Sequence, residues 1–317
     1  MNILWDLHLY YPRHAAGAES MAHTINLEMI KRGHAVKVIL NQANQHKIYT
    51  MYEWEGCMIF PPDQNIEDSL YRWADVVITH LDYTKKAIWK AAEYKKPCFH
   101  ITHNDILYKS VEDGVGDVRV IHNSKWIAQK LQYKWPTMVF PPPISDWYKT
   151  TGENRKYITL INLNQNKGRD YFYSWAKKMP QYQFLAVKGS YENQDVNNLP
   201  PNVTVWPNTP DIRKVYEVTK ILCVPSHYES WGRVASEAMI NGIPVIASPT
   251  DGLKENLDYA GIFANRKDSA RVMEEITKLM EEPDYYKKWS DLCLKRAGEQ
   301  IPDWDGLEKF LTSKVGI

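Results

Sequence analysis

A stretch near residue 230 constrains the fold of this chain more than any other. It opens with a short apolar run, Ile221–Val224, which is typical of a buried strand. A polar turn follows, and then a helical pattern from about residue 231 to residue 241, which Gly242 ends; Pro244–Ser248 is the next apolar run. The order predicts a strand–loop–helix–strand unit. The start of its helix should present unpaired backbone N–H groups, which suit phosphate or sugar oxygens.

The same alternation of strands and helices runs along the whole chain and predicts mostly parallel sheets with helices on both faces. The strands expected in the first half are Asn2–Leu7, Ala35–Leu40, Cys57–Phe60, Asp75–Thr79, Pro97–Thr102, Val118–Ile121 and Thr137–Phe140. Those expected in the second half are Tyr157–Asn162, Gln183–Lys188, Val203–Trp206, Ile221–Val224, Pro244–Ser248 and Ala260–Ala264.

The chain is long enough for two cores rather than one, at 317 residues. Three prolines, Pro141-Pro142-Pro143, end the first set of strands, and the polar segment Lys149–Asn154 is the expected linker. We therefore predict two doubly wound α/β domains, residues 1–148 and 149–317.

Composition excludes several classes of protein. Hydrophobic residues make up 44% and charged residues 24%, with 39 Lys and Arg against 38 Asp and Glu, so no bulk attraction to nucleic acid or membrane is expected. The four cysteines show no CxxC spacing and are expected to be reduced. No apolar run reaches the roughly 18–20 residues that span a bilayer, and no signal-peptide pattern is present, so we expect a cytoplasmic protein.

Two carboxylates flank the central helix, Glu229 before it and Glu237 inside it, with seven residues between them. This spacing is a little over two helical turns, so both side chains are predicted to lie along one side. They are too far apart to share a proton, which argues against a hydrolase-type pair and favours binding hydroxyls at two parts of a long ligand. For either glutamate alone, a surface or capping role is the commoner one.

Two further turns carry residues suited to an anionic ligand. Lys167-Gly168 follows the strand ending at Asn162, and a lysine there would neutralise a diphosphate, although a plain surface lysine would give the same pattern. Gly17 lies in the loop just before a helix expected over Glu19–Arg32, where a small residue lets a ligand approach the backbone, although many strand–helix turns carry a glycine for geometry alone.

Four histidines, His80, His100, His103 and His122, fall at or near predicted strand ends. In an open parallel sheet the ligand crevice lies at the carboxyl ends of the strands, so these residues predict a polar crevice. No HxxxH spacing occurs on a helix, and a metal site is therefore not expected.

Taken together, these segments resemble family 4 retaining glycosyltransferases. The sequence ESWGRVASEAM from Glu229, followed by GIPV from Gly242, resembles their donor-binding signature, and DGLKE from Asp251 resembles the glycine-rich turn after it. Residues 16–19, AGAE, are similar to a Gly-Gly-Ala-Glu turn. Residues 162–168 are similar to an Arg-x4-Lys-Gly turn in which Asn162 replaces Arg, and residues 101–104 to a Thr-x-His-Asp segment in which Asn104 replaces Asp.

The resemblance implies the GT-B fold, in which two Rossmann-like domains face each other across a cleft and the last helix crosses back to the first domain. It also implies a metal-independent hexosyl or related transferase that moves a sugar from a nucleoside diphosphate sugar, UDP being the first choice, to an acceptor hydroxyl with retention. No cofactor is expected.

It further assigns roles to residues. Glu237 would bind the nucleotide ribose, and Glu229 the hydroxyls of the donor sugar. His103 would contact the transferred sugar. The diphosphate would be held by Lys167, by the Gly17 backbone, and by Arg233 or Arg13 in place of the missing arginine. The complete set expected at the donor is Gly17, Asn162, Lys167, Glu229, Ser230, Trp231, Gly232, Arg233 and Glu237.

Other readings stay open at the level of sequence. A non-hydrolysing sugar-nucleotide epimerase of the same fold and a non-catalytic nucleotide-sugar binding protein are both alternatives; a dehydrogenase is disfavoured because no GxGxxG follows a predicted strand. The acceptor, be it a glycan, a small molecule or a modified DNA base, is not identified, nor are the sugar, the linkage or the oligomeric state. Acceptor recognition is expected in His8–Ala18, Ile48–Glu55 and Asp105–Asp117.

Overall fold

The protein is described by a computed structural model that covers residues 1–14, 16–43, 47–106, 109–190, 194 and 196–313. Ala15, Leu107 and Tyr108, which belong to the expected acceptor loops, lie outside the described residues. The chain divides into two units. Unit 1 comprises Met1–Pro143 and Pro302–Ile317, and unit 2 comprises Ile144–Ile301.

Unit 1 contains an eight-stranded sheet in the order β3-β4-β2-β1-β5-β6-β7-β8. All neighbours are parallel except β3 and β4, which form an antiparallel pair. The strand order reverses between β1 and β5. The strands are β1 (Asn2–Leu7), β2 (Ala35–Leu40), β3 (Tyr52–Trp54), β4 (Cys57–Phe60), β5 (Val76–His80), β6 (Cys98–Thr102), β7 (Val118–His122) and β8 (Thr137–Val139).

Unit 2 contains a six-stranded, fully parallel sheet in the order β11-β10-β9-β12-β13-β14. Here the order reverses between β9 and β12. The strands are β9 (Tyr157–Ile161), β10 (Phe184–Val187), β11 (Val203–Trp206), β12 (Thr219–Val224), β13 (Val245–Ala247) and β14 (Gly261–Phe263).

Twelve helices of the described chain connect these strands. They are α1 (Gly17–Lys31), α2 (Gln64–Trp73), α3 (Thr84–Glu93), α4 (Lys109–Glu112), α5 (Lys125–Lys130), α6 (Arg169–Lys178), α7 (Arg213–Val218), α8 (Arg233–Met239), α9 (Asp251–Leu257), α10 (Ser269–Glu281), α11 (Pro283–Glu299) and α12 (Trp304–Thr312). None of those described combines the length and hydrophobicity of a membrane-spanning segment.

Each sheet is buried on both faces. Successive strand residues point to opposite sides of a sheet, and here both sides pack in a hydrophobic cluster. In β1, Ile3 and Trp5 belong to one hydrophobic cluster and Leu4 belongs to another. In β12, Cys223 packs in one cluster and Leu222 in another. Both sheets thus have the buried double-sided arrangement that the apolar runs predict.

The structure differs from the predicted elements in three places. β3 was not predicted and lies in the expected acceptor loop Ile48–Glu55. The central helix α8 is shorter than predicted, since it begins only at Arg233 and ends at Met239. Helix α1 begins at Gly17, two residues before the expected start at Glu19, so Gly17 is the first helical residue rather than part of a loop.

The last helix, α12, belongs to unit 1. Leu307 and Leu311 are 1% exposed and lie in the same hydrophobic cluster as β1. Arg32 on α1 donates to Asp305 at 2.7 Å and to Glu308 at 2.8 Å. Hydrophobic burial and an ion-pair network therefore both hold this helix to a core built mostly from the first 143 residues.

The predicted linker segment Lys149–Asn154 lies in unit 2. The backbone N–H of Thr150 donates to Asn241 at 2.8 Å, and the Thr151 hydroxyl donates to Glu217 at 2.8 Å. These hydrogen bonds join the segment to α7 and to the end of α8, so the backbone here is fixed within the unit.

Candidate functional site

The reversal of strand order in unit 2 brings together two sequence-predicted residues. Lys167 follows β9 and Glu229 follows β12, the two strands between which the order reverses. The Lys167 ammonium donates to Glu229 Oε1 at 2.6 Å, and the Ser226 hydroxyl donates to the same oxygen at 2.7 Å. Ligands of open α/β sheets bind outside the carboxyl ends of the strands at such a reversal. The pair therefore lies where a ligand is expected.

The turn after β9 holds Lys167 in place through its backbone. Asn164 Oδ1 accepts from the Asn166 N–H at 2.8 Å, and Gly168 has a φ of +87°. A Cβ on Gly168 would lie 2.4 Å from the carbonyl oxygen of Pro225, so only glycine allows this turn to approach the loop after β12. The His227 N–H donates to the Asn166 carbonyl at 2.7 Å and joins the two loops.

The loop that carries Glu229 is also held from its other side. Asn256 of α9 donates through Nδ2 to the carbonyls of Trp231 and Gly232, both at 3.1 Å. A Cβ on Gly252 would lie 2.3 Å from the Glu229 carbonyl oxygen, so α9 approaches this loop backbone to backbone. The position of Glu229 is thus fixed by packing of its main chain.

The second predicted carboxylate, Glu237, is buried in a polar cluster. Arg233 Nε donates to Glu237 Oε1 at 3.0 Å, and the Tyr216 hydroxyl donates to Oε2 at 2.6 Å. Arg233 Nη2 also donates to the Tyr148 hydroxyl at 3.0 Å. Burial raises the pKa of Glu237, while Arg233 and the hydrogen bond from Tyr216 act in the opposite direction. Burial and the Glu237 charge together raise the pKa of Tyr216 well above its ordinary value.

The two carboxylates lie in different elements, and their placement along one side of the helix stays a prediction. Glu229 lies in the loop before α8, whereas Glu237 lies on the helix. Their environments differ: the Glu229 side chain is 11% exposed and paired with Lys167, whereas the Glu237 side chain is 7% exposed and paired with Arg233. The seven-residue spacing between the two glutamates does not predict these environments. The helix was expected to begin two residues after Glu229, whereas α8 begins four residues after it.

Several predicted donor-binding residues have partners within unit 2. Asn162 has a φ of +73°, and its Oδ1 accepts from the Asn164 N–H at 3.1 Å and from Gln194 at 3.2 Å. Trp231 is 5% exposed and its Nε1 donates to Ser236 at 3.2 Å. Ser230 stays partly exposed in the same loop. The amide oxygen of Asn162 therefore stabilises its own turn, and its contact with the donor stays a prediction.

Gly232 and Gly17 represent two different uses of glycine. Gly232 has a φ of +83°, and a Cβ there would lie 2.6 Å from Leu253, so the fold itself requires glycine. At Gly17 a Cβ would meet nothing within 4 Å. Gly17 is exposed, as is Arg13. The fold of unit 1 places no steric demand on position 17.

The strand-end histidines of unit 1 fall into two groups. His80 and His103 share a hydrogen bond of 3.0 Å between Nδ1 and Nε2, respectively. His100 pairs with Thr84 at 3.1 Å, and His122 pairs with Thr102 at 3.2 Å. Burial lowers the pKa of His100 to about 3 and that of His122 to about 4. Burial also lowers the pKa of His103 to about 4, against a smaller opposing effect of the Glu19 charge.

Two residues that were not predicted as site residues lie next to this histidine pair. His8, just beyond β1, and Glu19, in the first turn of α1, approach each other at 3.0 Å between Nε2 and Oε1. Burial alone would raise the pKa of Glu19, but the hydrogen bond and charge of His8, with the charge of His14, lower it below its ordinary value. Among the described residues, His8, Glu19 and His80 form a group with potential metal-ligand atoms within 4.8 Å of one another.

Sequence reasoning also missed Tyr148, Tyr216 and Ser226. Ser226 stands in the polar turn three residues before Glu229, which is a recognisable hydrogen-bonding position. Tyr148 and Tyr216 are remote in sequence from Arg233 and Glu237, so no local pattern indicates them.

Most of unit 2 matches a protein-family model. Residues 148–292 match the family model described as Glycosyl transferases group 1. The matched range contains Lys167, Glu229 and Glu237.

Curated relatives are similar to this chain over parts of their length. An uncharacterized glycosyltransferase of Haemophilus influenzae is 28% identical over 178 residues, which cover 52% of this chain and 49% of that protein. A D-inositol 3-phosphate glycosyltransferase of Segniliparus rotundus is 34% identical over 118 residues, which cover 36% of this chain and 26% of that protein. The chain therefore matches about half or less of the length of these relatives.

Solved structures agree over nearly the whole chain. The Anabaena protein HepE in complex with UDP and glucose has a TM-score of 0.74 and 16% identity, with 98% of each chain covered. At this identity the likeness shows the fold alone. Together with the two mostly parallel sheets, it confirms the predicted GT-B fold class with two Rossmann-like domains.

Proposed function

We propose that the chain is a retaining glycosyltransferase of family 4 that moves a sugar from a UDP-sugar to an acceptor hydroxyl. The observation that carries the proposal is the 2.6 Å pair of Lys167 and Glu229 where the strand order of unit 2 reverses. The Glycosyl transferases group 1 match over residues 148–292 supports it, as does the likeness to a fold solved with UDP and glucose.

The pair has the chemistry that transfer from a nucleoside diphosphate needs. As the bond from sugar to diphosphate breaks, negative charge builds up on the leaving oxygens, and preorganised cations stabilise it. The Lys167 side chain is 26% exposed, so a ligand oxygen can reach its ammonium. Glu229 holds that ammonium in position and offers its carboxylate to the hydroxyls of the donor sugar. No metal is needed at the diphosphate in this proposal, since the lysine supplies the charge.

Arg233 and Glu237 take a supporting part in the proposal. The guanidinium of Arg233 is bound to Glu237 and Tyr148, and its exposure is only 8%. We therefore assign it to orienting Glu237 rather than to the diphosphate. Glu237, fixed at both oxygens, is assigned to the ribose hydroxyls, because a carboxylate held in one orientation accepts them without further ordering cost.

Release of nucleotide tests the proposal. The protein is incubated with UDP-, GDP- and ADP-sugars, and free nucleotide is measured over time. We expect release from a UDP-sugar, and a decrease of about 10²–10³-fold in kcat/KM for Lys167→Ala, because a charge acting in the transition state is lost. Lys278→Ala is the matched control, since Lys278 pairs with Glu274 on the surface of α10. Absence of release from every sugar, or equal loss in the control, would contradict the proposal.

The products separate transfer from the alternatives. NMR of the anomeric proton of a product from a mixed acceptor library is expected to show the configuration of the donor. Accumulation of an epimerised nucleotide sugar without an acceptor would indicate the epimerase instead. His103→Ala is expected to lower transfer while UDP binding to unit 2 is retained, which tests the predicted contact of His103 with the sugar.

A further inference from the structure

Unit 1 has its own reversal of strand order, and a separate cluster of side chains lies there. The reversal falls between β1 and β5. His8 follows the last residue of β1, His80 is the last residue of β5, and Glu19 lies in the first turn of α1. These three residues come from different elements, so their proximity is produced by the topology and not by sequence spacing. The carboxyl ends at such a reversal are the usual ligand position of the fold.

The geometry of the cluster suits a metal ion. One ligand atom from each of His8, Glu19 and His80 lies within 4.8 Å of the others. The pair formed by His8 Nε2 and Glu19 Oε1 is already at 3.0 Å, and the rings of His8 and His80 are 5.6 Å apart between centroids. Ligand atoms around a tetrahedral ion with bonds of about 2.0–2.2 Å lie roughly 3–4 Å apart. Small side-chain rotations would therefore bring the three ligand atoms to bonding distance of one ion.

A second, independent observation is the unfilled bonding capacity of Glu19. The residue is 1% exposed, and its Oε2 has no hydrogen-bond partner among the described residues. The nearest ion-pair contact of that oxygen is His14 Nε2 at 4.0 Å, which is beyond hydrogen-bond distance. A deeply buried carboxylate is costly unless it is paired with a cation or coordinates a metal. The oxygen is thus available to a cation.

His80 also has a polar atom without a hydrogen-bond partner among the described residues. It is fully buried, its Nδ1 bonds to His103, and its Nε2 has no partner among the residues described. Histidine ligands of metals usually hydrogen-bond through the ring nitrogen that does not bind the ion. With a metal at Nε2, His80 Nδ1 carries the proton and donates it to His103 Nε2, which matches the observed contact of 3.0 Å.

We propose that His8, Glu19 and His80 bind a divalent transition-metal ion in unit 1. Two imidazoles and one carboxylate are ligands that zinc accepts, and three protein ligands leave a coordination position open. That position would be filled by water or by an oxygen of a ligand. The three ligands belong to unit 1, whereas the lysine assigned to the diphosphate belongs to unit 2. Binding of the ion goes beyond the proposed transfer reaction.

Direct binding of zinc tests the site. The full chain is stripped with a chelator, dialysed and titrated with Zn²⁺ in competition with a chromophoric chelator. About one ion per chain is expected. Glu19→Gln keeps the size of the side chain and removes the anionic ligand, and His80→Ala removes an imidazole. Both are expected to weaken zinc binding about tenfold or more. His122→Gln, a buried strand-end histidine outside the cluster, and His227→Ala, an exposed one in unit 2, are the controls and are expected to bind as the wild type does.

Thermal unfolding separates loss of the site from loss of the fold. Zn²⁺ is expected to raise the melting temperature of the wild type and of His227→Ala, and to leave the melting temperature of Glu19→Gln unchanged. Circular dichroism of the metal-free variants reports whether they fold. If His80→Ala does not fold, His8→Gln replaces it as the variant that lacks one imidazole ligand. Wild-type protein that takes up no zinc would overturn the proposal, as would equal affinity in Glu19→Gln. UDP affinity is measured in parallel, so a failure here is distinct from a failure of the proposed transferase.

Discussion

At the scale of single residues, type and neighbours in sequence identified Lys167, Glu229 and Glu237 as candidates, but not their partners. Lys167 and Glu229 stand 62 positions apart, and Tyr216 stands 21 positions before Glu237. No local pattern encodes such pairs, because they form only when strands take their places in the sheet. The sequence does not indicate His8 as a candidate for the same reason, because its neighbours Glu19 and His80 come from α1 and β5.

His122 gives a prediction for pH. It is 1% exposed, and burial lowers the pKa of its imidazole from 6.5 to about 4. Below pH 6.5 the unfolded chain takes up a proton that the folded chain resists, so stability present above pH 6.5 is lost as the pH falls towards 4. The wild-type free energy of unfolding should therefore fall more steeply over this window than that of His122→Gln, by about 3 kcal/mol at most.

Urea denaturation at pH 7 and at pH 4.5 measures this difference in slope. His227→Ala, altered at an exposed histidine, should follow the wild type. Identical pH dependence in wild type and His122→Gln would show that burial of this imidazole does not contribute.

At the scale of elements, the sequence predicted strands well because apolar runs buried on both faces are strong signals. It missed β3, whose three residues Tyr52–Trp54 are only partly buried or exposed and form too short a pattern. It also placed the start of α8 two residues early. The carbonyls of Trp231 and Gly232 accept from Asn256 on another helix, so a tertiary contact decides where α8 begins.

The turn between β9 and α6 gives a prediction for glycine. Gly168→Ala should lower the free energy of unfolding of unit 2 by more than about 2 kcal/mol, because φ is +87° and the new Cβ would lie 2.4 Å from the Pro225 oxygen. Gly17→Ala is the matched change, since a Cβ there meets nothing within 4 Å, and its effect should stay within about 0.5 kcal/mol. Chemical denaturation measures both, and equal effects would contradict the steric argument.

At the scale of the molecule, the composition and the alternation of elements predicted two α/β domains, yet the chain does not divide at a single point. Residues from Pro302 onwards belong to unit 1, although they follow unit 2 in sequence. The family resemblance implies this return of the last helix, and the buried side chains of α12 show it. In each unit, a cluster of titratable side chains lies where the strand order reverses, so the topology brings together residues that are distant in sequence.

The division predicts how a change in α12 spreads. Leu307→Ala removes a side chain that is 1% exposed in the unit 1 core and should cost about 2–5 kcal/mol. Amide hydrogen exchange followed by mass spectrometry should show loss of protection in β1 and β2, with β9 and β12 unaffected. Leu294→Ala, at a leucine of α11 that is 50% exposed, is the control and should change neither. Loss of protection in unit 2 instead would contradict the assignment of α12.

The most direct test of the whole account is the affinity of the protein for UDP, measured by isothermal titration calorimetry. A charged hydrogen bond of about 1.5–3 kcal/mol from Lys167 to the diphosphate predicts that Lys167→Ala weakens binding about 10–100-fold. Lys278→Ala should bind UDP as the wild type does. Wild-type affinity in Lys167→Ala would contradict the account, because the diphosphate would then be held elsewhere.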